Sequence, residues 1–470
     1  MKILPVLLFG LLAVLQLTTC AAQVSSASQP FELVVTPYKT TMIADGRDTC
    51  LLKIIAVDRT GVQVPNANIL VHYTLSGDAK ILSITNVNGF GCSEVKDATA
   101  QCRLTNGESY LTIRSGSTKS TVHFEAKADS LHIGSTDIAI VTPGAPHLVS
   151  ESNNPFPTSK RVVKTVDKML GADISFLPEL ESRGMRFFDR GMQKDPIQIL
   201  KDHGFNYIRL RIFVNPANDS GYSPGKGFCG LEHTKQMARR VKDAGMKFLL
   251  DFHYSDYWAD PGKQIKPASW RNEDFIQLKK SVYDYTKMVM QQLKDQETEP
   301  DMVQVGNEIN HGMIWPEGSI SNLDSLAQLI YAGINGVLAV APSTTIMLHI
   351  ALGGQNAEAH FFLDNMIARG IPFDVIGLSY YPKWHGTLND LRDNINELSR
   401  YYKKDLIIVE YSQYKREVND IAFNVEGGRG KGSCIWEPLN TWESIFDKNG
   451  NANDYLYMCD AISAQYIKNK

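Results

Sequence analysis

The feature that most constrains this chain is a regular alternation of short apolar runs with helical stretches, which begins at Met169. Helical stretches such as 234–244 and 273–293 separate the runs. Strands that alternate with helices predict a parallel sheet, and eight such units in about 300 residues predict an α/β fold of the (β/α)8 TIM-barrel type. The eight runs are 170–174, 207–213, 247–253, 302–308, 345–350, 375–381, 406–410 and 432–437.

The residues before this alternation follow a different pattern. Short runs such as 51–57, 69–73 and 120–126 are rich in apolar and β-branched residues, and Gly-containing turns separate them. This spacing predicts an all-β, immunoglobulin-like sandwich over residues 31–145. Pro, Ser and Asn residues then predict a linker over 146–166, which leaves 167–470 for the barrel.

The first residues are typical of an export signal. Lys2 precedes an apolar run over 3–17, and small residues follow, so residues 1–22 are predicted to be a secretory signal peptide. The sequence Leu17-Thr18-Thr19-Cys20 resembles a bacterial lipobox, which would place a lipid anchor on Cys20; cleavage before Gln23 is the alternative. We therefore expect an exported protein, either a cell-surface or outer-membrane lipoprotein or a secreted one.

The charge and the cysteines exclude several functions. A formal net charge of −3 offers no basic surface for nucleic acid. The cysteines match no zinc pattern, and in an exported protein Cys92 and Cys102 are close enough to close a disulfide loop. Residues 447–451 resemble a calcium loop but lack its Gly and its final Glu. We therefore predict no cofactor, leave calcium unsupported, and expect a monomer.

Two carboxyl groups stand where a barrel enzyme carries its reactive side chains. In TIM barrels these side chains lie at the carboxyl ends of the strands. The fourth run ends in Asn307-Glu308 and the seventh in Glu410. Glycoside hydrolysis requires two carboxyl groups that flank the bond to be cut, at a separation of ~5–5.5 Å in retaining enzymes. The amide of Asn307 suits a contact with the sugar 2-hydroxyl.

Longer motifs resemble a known family. The segments 201–211, 250–262, 301–310 and 376–382, together with Trp436-Glu437-Pro438, resemble glycoside hydrolase family 53. That family consists of endo-β-1,4-galactanases, which cut the galactan side chains of pectin (type I arabinogalactan). The resemblance implies a retaining enzyme whose partner is galactan. It also implies that Glu308 is the acid/base, with a raised pKa, and that Glu410 is the nucleophile.

The resemblance extends to the walls of the site. It implies that Arg209, His253, Asn307, Tyr380 and Trp436 line the subsite of the sugar that is attacked, and that Trp384 is a stacking platform further along the cleft. Tyr380 is expected to hydrogen-bond the nucleophile, with Tyr381 as the competing candidate. Arg209 alternatively orients Glu410, and His253 is alternatively a core histidine. Trp258, Trp270 and Trp442 are expected to be structural.

Several alternatives stay open at this stage. Another retaining TIM-barrel glycosidase, such as an endo-mannanase or an exo-galactosidase, has the same two carboxyls. A surface glycan-binding protein without catalysis is a second class. The stretch between Glu410 and Trp436 is short, which leaves the product length open. The sandwich is expected to be a spacer, because its aromatic residues are scattered and suit core positions: Tyr38, Tyr73, Phe90 and Tyr110.

Overall fold

The structure is a computed structural model. It describes residues 29–38, 41–59, 61–86, 92, 95–129, 131–142, 148–150, 161–441 and 443–468. The predicted signal peptide with Cys20, part of the predicted linker, Phe90 and Trp442 lie outside these residues. Among the described helices, none combines the length and the apolar character that crossing a membrane requires.

The described amino-terminal residues form a two-sheet sandwich, as the sequence predicted. One sheet has the strand order β1-β3-β7-β5 and the other β2-β9-β8-β4-β6, and a Cys92–Cys102 disulfide adds to the second. Inward residues such as Leu52 and Phe124 fill the space between the sheets. The strands are β1 (Glu32–Pro37), β2 (Thr41–Ile43), β3 (Thr49–Val57), β4 (Leu70–Ser76), β5 (Ala79–Thr85), β6 (Thr99–Arg103), β7 (Glu108–Ser115), β8 (Ser120–Lys127) and β9 (Gly134–Val141).

Eight parallel strands close into a barrel, which confirms the predicted TIM fold. Each strand overlaps one of the eight apolar runs, and β10 pairs with β19 to close the ring. A short hairpin, β11 (Phe188–Asp189) with β12 (Met192–Gln193), lies outside it. The barrel strands are β10 (Met169–Asp173), β13 (Tyr207–Ile212), β14 (Lys247–Phe252), β15 (Met302–Val305), β16 (Thr345–Ile350), β17 (Val375–Tyr380), β18 (Asp405–Tyr411) and β19 (Gly430–Trp436).

Helices surround the barrel and begin at polar caps. The side chain of Asp274 accepts the backbone N–H of Gln277 at the start of α4, and Thr387 forms a capping box with Asp390 at the start of α8. The helices are α1 (Leu177–Ser182), α2 (Pro196–Asp202), α3 (Leu231–Asp243), α4 (Phe275–Asp295), α5 (Leu323–Leu338), α6 (Asn356–Ala368), α7 (Pro382–His385), α8 (Leu388–Tyr402), α9 (Lys415–Phe423) and α10 (Asp454–Tyr466).

The inside of the barrel has two layers of different chemistry. The lower layer is apolar and includes Leu249, Met302, Met347 and Ile407. Above it, at the carboxyl ends of the strands, the inward side chains are polar or charged and are nevertheless buried. Because the apolar layer closes the barrel from below, the polar layer faces the cleft at the mouth. This layering sets where the chemistry of the barrel takes place.

The sandwich packs against the mouth of the barrel. Ile43 of β2 is buried in the hydrophobic core of the barrel. Arg47 pairs with Asp364 at 2.6 Å, and the hydroxyl of Thr49 donates to Glu358 at 3.2 Å. The two folds are therefore joined by a packed interface as well as by the chain between them.

Candidate active site

The polar layer gathers side chains from all eight strands and the residues that follow them. On each strand alternate residues point inward, so each strand, together with the residues that follow it, brings one to three polar side chains to the mouth. Where the chain leaves β15, Gly306 and Glu308 both have positive φ, which turns Glu308 inward. The inward groups are Asp173, Arg209, Arg211, Asp251, His253, Gln304, Asn307, Glu308, His349, Ser379, Glu410 and Glu437.

Glu308 lies among neutral hydrogen-bonding groups. Its Oε1 accepts a hydrogen bond from Ser379 Oγ at 2.6 Å. Ser379 Oγ in turn lies 2.8 Å from Nε2 of His349. Burial lowers the pKa of His349 well below its ordinary value, so this ring is neutral. Because Ser379 donates to Glu308, Nε2 of His349 carries the hydrogen that Ser379 accepts.

Glu410 lies among stronger donors. Its Oε2 accepts from Nη1 of Arg209 at 3.1 Å, and its Oε1 accepts from the Tyr381 hydroxyl at 2.9 Å. A guanidinium and a phenol together stabilise a negative charge on this carboxylate. The surroundings of Glu410 therefore suit an ionised carboxylate better than those of Glu308 do.

The two carboxyl groups face each other at short range. One oxygen of Glu308, one oxygen of Glu410 and one nitrogen of His349 all lie within 4.8 Å of one another. Inverting glycosidases hold their carboxyl groups ~6.5–9.5 Å apart to admit a water, whereas retaining ones use ~5–5.5 Å. The separation here leaves room for direct attack by one carboxylate on a sugar carbon.

The electrostatics separates the pair into an acid and a base. Burial, together with the charge of Glu410, raises the pKa of Glu308 well above its ordinary value. Burial also raises the pKa of Glu410, but Arg209 and Tyr381 oppose the rise. When the pair holds one proton, that proton therefore belongs on Glu308, and Glu410 is ionised.

Arg209 is the centre of the charged layer. Its Nη1 donates to Asp173 at 2.9 Å and to Glu410, and its Nη2 donates to Asp251 at 2.8 Å and to Asn307 at 2.9 Å. The side chain is buried and also lines the cleft. The side chain therefore orients the Glu410 carboxylate and also borders the cleft, and its contact with a sugar stays a prediction.

Asn307 and His253 lie beside this arginine on the cleft wall. The amide nitrogen of Asn307 donates to the carbonyl of Ala259 at 2.8 Å, which leaves its second hydrogen for a ligand. His253 has both ring nitrogens engaged, since Nε2 contacts Asp251 at 3.0 Å and Nδ1 accepts from Ala259 N–H at 3.1 Å. His253 lines the cleft and is held rigidly, and a direct role in sugar binding stays a prediction.

Aromatic side chains form one side of the cleft above a second buried ion pair. Trp436 and Trp258 both line the cleft, with ring centroids 6.2 Å apart. Beneath them the guanidinium of Arg211 lies 4.1 Å from the centroid of Trp258 and pairs with the buried Glu437. Trp258 was expected to be structural only, and its place in the cleft corrects that expectation. Trp270 is buried, as expected.

The prediction that Tyr380 hydrogen-bonds the nucleophile is wrong. Ser379 points into the barrel toward Glu308, so the next residue on the strand points outward and the following one points inward again. The Tyr380 hydroxyl accordingly donates to the carbonyl of Gly386 at 3.1 Å, and Tyr381 contacts Glu410. Tyr381 lines the cleft, and Tyr380 is not among its lining residues.

The sequence analysis assigned no role to several members of the polar layer. Ser379 and His349 orient Glu308, and Gln304 donates to Asp251 at 2.5 Å. Asp173 and Asp251 hold Arg209. The two aspartates lie near the carboxyl ends of predicted strands, so their position could have indicated that they belong to the site. Nothing in the sequence indicated the same for the serine and the glutamine.

Three residues of this arrangement also resemble a cation site. Among the described residues, Glu308, His349 and Glu410 form the group whose ligand atoms are close enough to hold a metal ion. The guanidinium of Arg209 already supplies a positive charge to Glu410, and both ring nitrogens of His349 have protein partners. These residues are therefore better suited to sharing a proton than to binding a cation.

Beyond the carboxyl pair, the cleft extends along the barrel mouth. Trp384 lines it from α7 and is 46% exposed, an unusual state for a large aromatic side chain beside a cavity. Its role as a stacking platform for a sugar stays a prediction. Tyr38 and Tyr110 of the sandwich also line the cleft, whereas Tyr73 is a core residue. The expectation that all three belong to the sandwich core is therefore wrong for two of them.

Comparison with known proteins places both folds. The sequence model of glycosyl hydrolase family 53 matches residues 169–440, and that of glycoside hydrolase family 2 C-terminal domain 5 matches residues 33–137. The first match covers the whole barrel from β10 to β19, with both carboxyls. The second covers the sandwich.

Individual relatives agree with the first match. A probable arabinogalactan endo-β-1,4-galactanase A from Aspergillus terreus is 36% identical over 63% of this chain and 92% of its own length. An arabinogalactan endo-β-1,4-galactanase from Cellvibrio japonicus is 39% identical over 51% of this chain and 64% of its own. The solved GH53 catalytic domain of Ignisphaera aggregans is 30% identical with a TM-score of 0.60, over 66% of this chain and 99% of its own.

Proposed function

The chain belongs to glycosyl hydrolase family 53, and from that membership and the geometry of the carboxyl pair we propose that it is a retaining endo-β-1,4-galactanase. Its substrate is the β-1,4-galactan of type I arabinogalactan. The observation that carries the proposal is the approach of Glu308 and Glu410 to within 4.8 Å at the barrel mouth, with Arg209 on one of them only. The names of the relatives support the choice of galactan.

The proposed reaction has two steps. Glu410 attacks the anomeric carbon of one galactose and forms a covalent ester, while Glu308 gives its proton to the departing glycosidic oxygen. Glu308, now ionised, then takes a proton from a water that attacks the same carbon and releases Glu410. Two inversions at one carbon give net retention of the β configuration.

The hydrogen bonds around each carboxyl fit these two roles. Ser379 occupies Oε1 of Glu308, so its Oε2 is the oxygen that carries the transferable proton. Arg209 and Tyr381 hold the nucleophile ionised and fix its orientation, which lowers the entropic cost of reaching the attacking geometry. Asn307 has an N–H left for the 2-hydroxyl of the attacked sugar.

The test compares substrates and follows the products. The purified chain is incubated with β-1,4-galactan and separately with β-mannan, and the products are resolved over time. Galacto-oligosaccharides of intermediate length from galactan, with β anomers in the earliest NMR spectra, support the proposal. Products from mannan alone, galactose alone from the outset, or early α anomers each contradict it. Tight galactan binding with no new reducing ends would instead indicate a glycan-binding protein.

A chemical rescue tests the role of Glu410. We expect Glu410→Ala to lose at least about a thousandfold of kcat on galactan, because the covalent route is gone. Azide, placed in the space left by the side chain, attacks the anomeric carbon while Glu308 protonates the leaving oxygen, and the product is α-galactosyl azide. Glu426→Ala, which removes an exposed carboxylate from the barrel surface, is the matched control and keeps its activity.

The cellular location rests on the sequence alone. We propose that residues 1–22 direct export and that Cys20 carries a lipid anchor, on the strength of the charged start, the apolar run and the lipobox-like sequence. Expression of the full chain with Cys20→Ala as the control tests this, with detergent-phase partitioning as the measurement. Equal partitioning of the two proteins would refute the lipid anchor.

A further inference from the structure

We propose that the outer face of the sandwich sheet β1-β3-β7-β5 is a wall of the substrate cleft and binds galactose residues on the leaving-group side of the bond that is cut. The inference rests on the proposed galactanase function and goes beyond it, because this wall comes from the region that precedes the barrel. It assigns the sandwich a share in choosing where along a galactan chain the enzyme cuts.

The first observation is the composition of the cleft. A single cavity of about 510 Å³ is lined by both Glu308 and Glu410. Its lining includes four residues of the sandwich, which are Tyr38, Leu51, Tyr110 and Thr112. The reacting sugar needs only the part of the cavity beside the two carboxyls. The remainder extends between the two folds, where further sugars of a polymer would lie.

The second observation is the orientation of the sandwich strands. β3 and β7 pair so that Leu51 lies opposite Thr112 and Lys53 opposite Tyr110. Neighbouring residues such as Leu52 and Leu111 point into the sandwich core. Strand alternation therefore places the side chains of these two pairs, Leu51 with Thr112 and Lys53 with Tyr110, on the outer face. In an isolated sandwich this face would meet water, and here it meets the barrel mouth.

The interface holds this face in a fixed position. Glu358 of α6 accepts from Thr49 on the sandwich, and also contacts His311 at 2.9 Å, three residues beyond Glu308. Lys383 of α7 lies 3.8 Å from Glu108 of β7. Exposed ion pairs contribute little each, and Ile43 adds a buried apolar contact with the barrel core. The wall is thereby tied to the loop that carries the acid.

The sandwich wall lies on the side of the carboxyl pair where the leaving group departs. The barrel residues beside it follow the fourth, fifth and sixth strands, as His311, Glu358 and Trp384 do. Glu308 lies just after the fourth strand, and a general acid must stand beside the oxygen that departs. The sugars attached to that oxygen therefore leave the carboxyl pair in the direction of the sandwich.

The chemistry of the wall suits a neutral sugar chain. Burial, with Asp260 and Glu108 nearby, raises the pKa of Tyr38, and burial with Glu108 raises that of Tyr110, so both phenols keep their hydrogen. Neutral phenols donate and accept hydrogen bonds with sugar hydroxyls, and their rings pack on the C–H face of a pyranose. Trp384 presents an exposed ring on the barrel side of the same cleft.

The test separates long from short substrates. Tyr38→Ala and Tyr110→Ala are measured in the full chain on β-1,4-galactan and on nitrophenyl β-1,4-galactobioside, in which no sugar lies on the leaving-group side. We expect kcat/KM on galactan to fall by about tenfold, a typical cost of truncating a well-placed aromatic contact, and the product lengths to shift. Activity on the nitrophenyl substrate should stay within about twofold of the parent, since its sugars do not reach the wall.

A second variant and a control guard against loss of folding. Thr112→Arg adds a long side chain to the same face without removing a ring, and we expect it to obstruct galactan and spare the nitrophenyl substrate. Tyr401→Ala removes an exposed tyrosine at the end of α8, 62% exposed, and should match the parent on both substrates. Thermal melting of each variant reports on its folding.

Two different failures are distinguishable. If the parent chain does not cut galactan, the proposed function is wrong. If the parent cuts galactan and the three wall variants match it in KM and in product lengths, only this inference is overturned. Equal losses on both substrates overturn it as well, because a wall on the leaving-group side cannot affect a substrate that has no sugar there.

Discussion

The surroundings of the two carboxyl groups differ although their burial does not. Glu308, just after β15, and Glu410, on β18 of the same barrel, are each 8% exposed. Glu308 accepts a hydrogen bond from the neutral hydroxyl of Ser379. Glu410 accepts hydrogen bonds from the guanidinium of Arg209 and the phenol of Tyr381. The charge and number of the donors therefore decide which group keeps the proton, and depth in the protein does not.

This difference has a structural origin in the order of the strands. Arg209 is on β13, and the neighbouring strands β10 and β14 carry Asp173 and Asp251. These two carboxylates hold its guanidinium in position to contact Glu410. No cationic side chain contacts Glu308 among the described residues, and its partner Ser379 stands on β17 in front of a neutral His349. In the proposed reaction, two identical side chains thus take the different roles of acid and nucleophile.

Removal of Arg209 should have the largest effect on the difference between the two carboxyl groups. In Arg209→Met the nucleophile loses its cation and three further buried acceptors lose a donor, so we expect kcat/KM on galactan to fall by at least about a thousandfold. The pKa of Glu410 should rise, which moves the acidic limb of the pH–rate profile to higher pH. Measurement of kcat/KM against pH checks both.

Two further variants help to interpret this result. Arg209→Lys retains the charge without the forked geometry, and we expect it to recover only part of the activity. Arg240→Met removes an arginine that pairs with Glu181 and Asp195 on the outside of the barrel, and it should retain parental activity. An acidic limb that stays in place in Arg209→Met would mean that this arginine does not set the ionisation of Glu410.

Removal of the phenol should have a smaller effect on the same carboxylate. Tyr381→Phe deletes one hydrogen bond to a charged group, which is worth ~1.5–3 kcal/mol, so we expect kcat to fall by about ten- to a hundredfold. The acidic limb should again move to higher pH, because that bond favours the ionised form. Tyr380→Phe is the matched control and should stay close to the parent, since its hydroxyl contacts Gly386 and not the cleft. The reverse pattern would restore the sequence-based prediction.

The contrast between these two tyrosines shows where the sequence stops being informative. The repeat of apolar runs predicts all eight barrel strands, and the ends of the fourth and seventh give Glu308 and Glu410. Which of two adjacent tyrosines faces inward depends on the strand register. The pairing of β17 with β18 shifts between Gly377 and Ser379, and no local pattern announces that shift.

The cleft wall shows a second kind of limit. Alternation in β3 and β7 predicts a sandwich with an inner and an outer face, and the sequence gives no partner for the outer one. Nothing in the sequence around Tyr110 distinguishes it from any other tyrosine on a strand. Its place in the cleft follows from the packing of the two folds through contacts such as Ile43 and Arg47, which are distant in sequence from their partners. Such contacts are visible only in three dimensions.

Removal of the Ser379 hydroxyl should change the pKa of Glu308 and leave Glu410 with its own donors. The hydrogen bond from Ser379 favours the ionised form of Glu308 and so lowers its pKa, against the larger effect of burial. In Ser379→Ala the pKa of Glu308 should rise further, and the basic limb of the pH–rate profile should move to higher pH by up to about one unit. Ser433→Ala, which removes a buried hydroxyl that donates to Asn419 instead, should leave that limb unchanged. Movement to lower pH would contradict the assignment of Ser379 as donor.

The smallest expected effect concerns stability, where the two carboxyls should again differ. Because the pKa of Glu308 is raised in the folded protein, stability is lost as the pH rises from its unfolded pKa through its folded one, and each unit of elevation corresponds to ~1.4 kcal/mol. Glu308→Gln has no such loss, so its Tm should exceed that of the parent by about 1–3 °C in alkaline buffer and match it in acid. Glu410→Gln should gain less, since Arg209 and Tyr381 offset the burial of that carboxylate. Calorimetry of both variants across pH measures which of them gains more in Tm. A larger gain for Glu410→Gln would mean that Glu410, and not Glu308, holds the shared proton.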